Sequence, residues 1–355
     1  MKMRVGLGIA LSLIITGGTH AQSSSVPVTV DNFPRAESDL YMGRSVKQGA
    51  LGKFVHNRTP TEIDEQMVIR MNRDTLYSSA VFDLDAGPVT ITLPDAGKRF
   101  MSMQVINEDH YTPMVIYKPG PVTLTRDQAG TRYVLTAVRT LVDPNDPKDL
   151  DQVHALQDAI KASQNSPGKF EVPNWDETSQ KDVRDALLVL AAHTDGFKNA
   201  FGTKQQVDPI KHLIGTAAGW GGNPDKDASY SSFAPPRNDG NTIYRLNVPA
   251  NVPVDAFWSI SLYDAKGYFE KNPYDAYSLN SITAKKGPDI GRRPVRRLRR
   301  QDSELPADHE GVELHRAALS PARGNPRRQV EIPGAAGGEL RGCAVATVGT
   351  RRCGR

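Results

Sequence analysis

Val89-Thr90-Ile91-Thr92-Leu93, bracketed by Gly87-Pro88 and Pro94-Asp95, alternates apolar and polar residues without a break. A period of two sets the apolar side chains on one face of an extended segment, which predicts a half-buried strand with a turn at each end. The pattern recurs outward from this stretch. Met101, Met103 and Val105 alternate with Ser102 and Gln104, and Tyr133-Val134-Leu135-Thr136-Ala137-Val138 is rich in β-branched and aromatic residues. Pro119-Gly120 and Gly130 add further turns. Short strands with a turn every ten or so residues, on the order of the spacing seen in sandwiches, predict an antiparallel β-sandwich.

On either side the period changes. Residues 33–75 read as partly helical, with Glu62, Gln66 and Arg70 on a polar face and Met67, Ile69 and Met71 among the apolar positions. Helical signal returns at Asp149–Ala162 and is strongest at Ser179–Phe197, where Ser179 with Asp182 resembles a capping pair and Val183, Leu187, Leu190 and Ala191 mark one apolar face. A further helix is expected at Pro209–Ala218, and strands at Thr242–Val248 and Ala256–Tyr263. The expected fold class is therefore mainly β with a helical segment. Residues 22–145 form a β-sandwich with preceding helices, 146–225 a helical segment, 226–287 the start of a second β domain, and 288–355 a tail.

The first 21 residues have the parts of a secretory signal: Lys2 and Arg4, an apolar run from Val5 to Ile15, and a small-residue exit at Thr19-His20-Ala21. The run is shorter than the ~20 residues that span a bilayer. Cleavage near Ala21 and a periplasmic or secreted mature protein are expected, with no transmembrane segment. The chain of 355 residues is long enough for about two domains and a sizeable core. Its formal charge of +4 is unevenly placed: residues 291–355 hold fourteen Arg against seven acids, and Lys2 and Arg4 add +2, which leaves the body near −5. That balance argues against nucleic acid as a partner.

Met71-Asn72-Arg73-Asp74-Thr75-Leu76-Tyr77-Ser78-Ser79, with Asn107-Glu108-Asp109-His110-Tyr111, resembles the bacterial domain of unknown function 1254. Ala217-Ala218-Gly219-Trp220-Gly221-Gly222-Asn223-Pro224 and Phe257-Trp258-Ser259-Ile260-Ser261-Leu262-Tyr263-Asp264 resemble its companion, domain of unknown function 1214. The resemblance covers residues 30–285 in the family's order. It implies an immunoglobulin-like N-terminal sandwich, an α-helical middle and a jelly-roll-like C-terminal domain, and it implies no activity.

After Lys286 the resemblance ends. Residues 291–355 contain no Phe, Tyr, Trp or Lys. Synonymous codons for Asp302 through Leu319, reread one base over, can give Thr-Pro-Asn-Cys-Leu-Pro-Ile-Thr-Lys-Gly-Trp-Asn-Tyr-Thr-Val-Arg-Leu, an amphipathic strand pattern of the kind the family carries. A frameshift near Pro288–Arg292 is therefore expected, with an incomplete C-terminal domain and a disordered, out-of-frame tail. The alternative is a genuine basic extension that binds an anionic partner.

The chain has no G-x-S-x-G, no H-E-x-x-H, no P-loop and no C-x-x-C, and its two cysteines, Cys343 and Cys353, lie in the tail. Chemistry must therefore use oxygen and imidazole groups. Arg73 and Asp74 are candidates to orient a carboxylate or sugar hydroxyl, the first through a planar fork of donors. Asp109 and His110, a carboxylate beside an imidazole at the end of a strand, are candidates for acid and base. These four are the candidate catalytic residues. Asn72, Tyr77, Asn107 and Trp220 are the candidate ligand-binding residues. A structural role competes at each position: Asp74 capping backbone, Arg73 pinning the sandwich to its neighbours, Trp220 plugging a join. The remaining histidines, among them His56, His154, His193 and His212, stand singly. No metal site and no cofactor are assigned. Two readings follow. One is an exported, self-associating module that binds a small polar or carbohydrate-like ligand or has a structural role. The other is a hydrolase or lyase built on the Arg/Asp/His set, with or without a metal; it requires Arg73 or Asp74 to share a cleft with Asp109 and His110.

Overall fold

The structure is a computed structural model, and the residues it describes are 25–233, most of 252–284, and 312–317. The quoted stretch is a strand with the expected alternation: Val89, Ile91 and Leu93 are buried, Thr90 and Thr92 half-buried. It pairs on one side with Gly120–Leu124 and on the other with Lys161–Ser163. Val55–His56 (β1), Thr75–Asp83 (β2), Val89–Leu93 (β3), Met101–Asn107 (β4), Met114–Ile116 (β5), Gly120–Leu124 (β6), Tyr133–Leu141 (β7) and Lys161–Ser163 (β8) form two antiparallel sheets, in the orders β1-β2-β7-β4-β5 and β6-β3-β8. Phe82, Val89, Ile91, Met103, Val105 and Val138 share one core cluster, so the two sheets face each other as a sandwich.

The same period of two decides what the outer face of the five-stranded sheet carries. On β4, Met101, Met103 and Val105 point into the sandwich, leaving Ser102, Gln104 and Ile106 for the other face. On β7 the inward residues are Val134 and Val138, leaving Tyr133, Leu135, Ala137 and Arg139 outside. β2 adds Tyr77, Ser79 and Val81 to that outer face. Its apolar part is covered rather than solvated: Val81, Ile106, Tyr133 and Leu135 pack with Tyr41, Met42 and Trp220.

The cover is helical. Phe33–Lys47 (α1) opens with Pro34 in its first turn and closes with Arg44 and Lys47 in its last, as the dipole favours. Arg126–Ala129 (α2) is a single capped turn between β6 and β7. Pro147–Asp158 (α3) packs Val153 against Leu76 and Val142 at the end of the sheet. Glu177–Ala191 (α4) and Pro209–Ala218 (α5) bury Leu187, Ala191, Ile214 and Ala217 against Phe33 and Ala36 of α1. A buried polar joint adds to this packing. Glu37 of α1 is fully buried and accepts from Arg184 Nε at 2.8 Å and Gln180 Nε2 at 2.9 Å, both on α4.

Tyr230–Phe233 (β9), Ser259–Asp264 (β10), Ser278–Asn280 (β11) and Val312–Ala317 (β12) make a third sheet, ordered β11-β10-β12-β9.

Several expectations need correction. The segment around 62–71 is not helical but runs in turns, and Arg70 sits in the left-handed region at φ 55 with its N–H donated to Gly267 O at 2.8 Å. Tertiary hydrogen bonding to the C-terminal unit has overridden the local pattern. Residue 145 does not close the sandwich, because β8 from the expected helical segment completes its smaller sheet. The cap of α4 is Asp176, which accepts from Ser179 N at 2.8 Å, rather than Ser179 with Asp182. The expected disordered tail contributes one strand: Val312–Ala317 alternates apolar and polar residues in Val-Glu-Leu-His, and it fills the slot between β9 and β10. The expected signal segment and the strand at Thr242–Val248 lie outside the described residues.

Candidate functional site

The outer face of the sheet is not covered completely. Between it, the turns of 67–72 and the loop after α5 lies a cavity of about 150 Å³. Tyr77, Ser79, Gln104, Ala137 and Arg139 form its floor, as the strand period requires, and Arg70, Asn72, Trp220, Asn223 and Tyr230 stand among its walls. Most of the other wall residues are apolar, including Met67, Ile69, Phe197 and Phe201. Tyr77 is only half-buried although protein surrounds it, because its free surface faces this cavity. Burial pushes its phenol up, against the pull of the Arg139 charge, so it is neutral.

Arg139 is the most unusual floor residue. It sits on β7 directly opposite Tyr77, with Ser102 opposite on its other side, and is 4% exposed. Its Nη2 donates to Asn223 Oδ1 at 2.9 Å, its guanidinium lies 5.7 Å from the centre of the Phe100 ring, and its buried Nε has no partner. Asn223 is in turn fixed by Tyr230, whose hydroxyl accepts from its N–H at 2.9 Å and from Nδ2 at 3.0 Å. Arg70 reaches the same cavity. Its Nη1 donates to Ala218 O at 2.7 Å, and its Nε is also buried without a partner. Among the described residues no carboxylate pairs with either arginine, and no Asp or Glu lines the cavity.

The candidate residues divide. Asn72, Tyr77 and Trp220 line the cavity. Arg73, Asp74, Asn107, Asp109 and His110 do not. Asp74 is buried at the join with the third sheet, where Oδ1 accepts from Asn280 Nδ2 at 2.9 Å and Oδ2 from Asn72 Nδ2 at 2.6 Å. Burial pushes its carboxyl up despite these bonds and those of Ser259 and Ser278. Arg73 donates to Thr61 O and lies 5.0 Å from the centre of the Tyr277 ring and 6.0 Å from that of Phe269. Both residues therefore tie the sandwich to the C-terminal unit.

Asn107 ends β4 as an Asx turn: Oδ1 accepts from Asp109 N at 3.1 Å and Tyr111 N at 2.9 Å, and Nδ2 donates to Ala129 O at 2.8 Å. His110 follows at φ 62, which sends its ring and the Asp109 carboxylate in different directions. Asp109 stays half-exposed and pairs with Arg35 at 2.6 Å. His110 is buried. Gly221 N–H donates to its Nε2 at 2.8 Å, and Thr216 Oγ1, whose own proton goes to His212 O, lies 2.8 Å from Nδ1. These partners require a neutral ring with its proton on Nδ1. Burial and the neighbouring His212 hold the ring's pKa well below the ordinary histidine range. The contacts of Asp109 and His110 share no residue with those of Arg73 and Asp74, and a ring with both nitrogens engaged has no free position for proton transfer. The Arg/Asp/His set is not assembled as one site.

His110 acts instead on the cavity wall. Tyr111, His212, His110, Trp220 and Tyr41 form a column of rings with centroids 4.5, 5.5, 5.5 and 4.8 Å apart, and the bond from Gly221 holds the loop after α5 against it. Trp220 Nε1 donates to Ser38 Oγ at 3.1 Å, which fastens the same loop to α1. The sequence reading missed His212, Gln104, Arg139 and Tyr230. A lone arginine inside an otherwise apolar strand was the available signal for Arg139. Among the described residues no group of three metal-ligating side chains occurs, and no helix is long and apolar enough to cross a membrane.

The family described as protein of unknown function DUF1254 matches residues 51–121, and that described as protein of unknown function DUF1214 matches residues 234–292. The first span contains both N-terminal motifs and the second contains Phe257–Asp264, while Ala217–Pro224 lies between them. No curated protein matches. The crystal structure of the VPA0106 protein from Vibrio parahaemolyticus is similar over 90% of this chain and 98% of that one, with a TM-score of 0.55 at 14% identity, a likeness of fold. An uncharacterised protein from Burkholderia cenocepacia is 10% identical and covers 90% of this chain and 88% of its own, at a TM-score of 0.45.

Proposed function

We propose that this chain, in which a DUF1254 match is followed by a DUF1214 match, is an exported protein that binds a small molecule in the cavity on the outer face of its five-stranded sheet. The observation that carries the reading is the cavity itself, with polar groups converging from three parts of the chain on a mainly apolar space. About 150 Å³ has room for on the order of ten water-sized groups. A second, larger space of about 410 Å³ lies beside Arg99, but that charge is already neutralised by Asp149 at 2.5 Å. The hydrolase or lyase reading has no comparable support, since its residues are distributed over two joints.

Export rests on the Lys2–Ala21 pattern. A frameshift near Pro288–Arg292 is supported by the DUF1214 match, which ends at residue 292 where the Arg-rich composition begins. Completion of the C-terminal domain as a jelly roll in the intact ancestor belongs to the same proposal.

The binding reading is tested by ligand-observed NMR on the full chain with one-ring compounds that are neutral, anionic or cationic. Ala137 lines the cavity floor, so Ala137→Trp fills it. Hits are expected with the parent and lost in the variant. An absence of hits, or hits that persist in a folded Ala137→Trp protein, refutes it.

A further inference from the structure

We infer that the ligand is a small organic anion, a carboxylate on an apolar body, held by Arg139 and Arg70. The inference rests on the cavity-binding reading and adds the chemical class of what is bound. A buried guanidinium stays charged and is costly to bury unless a counter-charge and hydrogen bonds compensate it. Among the described residues, several charges at the joints of this fold are compensated in that way. Glu37 has Arg184, Asp83 has Arg132 at 2.9 Å, and Asp149 has Arg99. Arg139 is 4% exposed and has only a neutral amide and an aromatic ring, with its Nε unpartnered. Arg70, from the turns of 67–72, repeats the arrangement, bonded to a carbonyl with its Nε unpartnered.

Among the described residues, no counter-ion is present within the lining itself. Tyr77 is kept neutral by burial, and the carboxyl of Asp74 is both tied to Asn72 and Asn280 and pushed toward its neutral form. Two uncompensated guanidiniums facing one cavity therefore describe an anion site, and their planar forks match the two oxygens of a carboxylate. The rest of the wall selects the body of the ligand. Phe197, Phe201, Trp220, Met67 and Leu135 present apolar surface, which suits a ring or short chain and disfavours a bare, strongly hydrated inorganic ion.

Benzoate, benzamide, benzylamine and inorganic phosphate separate these features by calorimetric titration into the full-length protein. Benzoate is expected to bind at least about tenfold more tightly than benzamide, benzylamine least tightly of the three rings, and phosphate more weakly than benzoate. Arg139→Met and Arg70→Met are each expected to erase most of the preference for benzoate over benzamide while leaving benzamide affinity within a few-fold. Two variants on different segments keep the test open should one of them fail to fold. Equal binding of benzoate and benzamide, or a preference that survives both substitutions, overturns the anion assignment while cavity binding stands. Phosphate binding as tightly as benzoate overturns the organic body. Failure of all three rings to bind overturns the cavity reading and this inference with it.

Discussion

Asp39 provides the sharpest test of the electrostatics of the helical cover. It lies on the inner side of α1, 2% exposed, with Oδ2 accepting from Trp175 Nε1 at 2.8 Å and Oδ1 buried without a partner. Burial raises its carboxyl from an ordinary 3.8 to about 7, assisted by the negative charges of Glu108 and Asp109 and opposed by the Trp175 hydrogen bond and by Arg35. Between those two pH values the folded protein holds a proton that the unfolded chain has released. Stability contributed by this site therefore falls as pH rises from about 4 to about 7 and stays low above it. The gap corresponds to on the order of 4 kcal/mol at full development. Asp39→Asn keeps the shape and the acceptor for Trp175 but removes the titration. Urea unfolding followed by tryptophan fluorescence, at pH 4.5 and pH 8, gives the stability of each protein. Relative to the parent, the Asn variant is expected to gain between about 2 and 4 kcal/mol on going from the lower pH to the higher. His110 and His212, whose pKa values are lowered by burial, act in the opposite sense, costing stability as pH falls through the unfolded histidine value near 6.5. They act equally in both proteins, so they cancel in the difference. A difference independent of pH would falsify the assignment of a neutral, buried acid.

His110→Ala is expected to destabilise the protein by about 2–4 kcal/mol, through a cavity in the ring column and an unpaired Gly221 N–H, measured in the same urea assay. In the parent, nitrogen NMR shifts of the His110 ring should stay those of a neutral, Nδ1-protonated ring from pH 5 to pH 8; a titration in that range would contradict its hydrogen-bond pattern. Sequencing the locus should find a one-base insertion or deletion near codons 288–292, and an intact frame there refutes the frameshift.

The strands of the sandwich were legible because a half-buried strand must show a period of two, and Val89–Leu93 shows it without interruption. α5 was equally plain, bounded by Pro209 at its start and Gly219 at its end. What escaped was set by contacts distant in sequence. The run at 62–71 has helical spacing, yet the partners of Gln66 and Arg70 are Phe269 and Gly267, about two hundred residues on, and these draw it into turns. β8 is three residues long and carries no alternation to speak of; only pairing with Thr90–Thr92 makes it a strand. α1 hides for a different reason. Its buried face carries Glu37, Ser38 and Asp39, so its amphipathic pattern is lost to polar groups that find partners on α4 and in the loop before it.

The site residues expose a similar division between what a sequence displays and what a fold uses. Asn72, Asp74, Asn107 and His110 drew notice because they are dense in polar groups, and each turns out to have its polar atoms paired within the protein. Pairing of that completeness is what a joint needs, since an unmatched polar atom in a buried contact destabilises it by about 1–3 kcal/mol. A binding site needs the reverse, groups whose partners are left to be supplied. By that criterion the functional signal is the pair of guanidinium groups of Arg70 and Arg139, which line the cavity with only neutral partners among the described residues. Neither belongs to a dense polar cluster in the sequence, and their common cavity exists only once β7, the turns at 67–72 and the loop fastened by His110 have come together. The polar motifs position the walls, and the isolated arginines face the space those walls enclose.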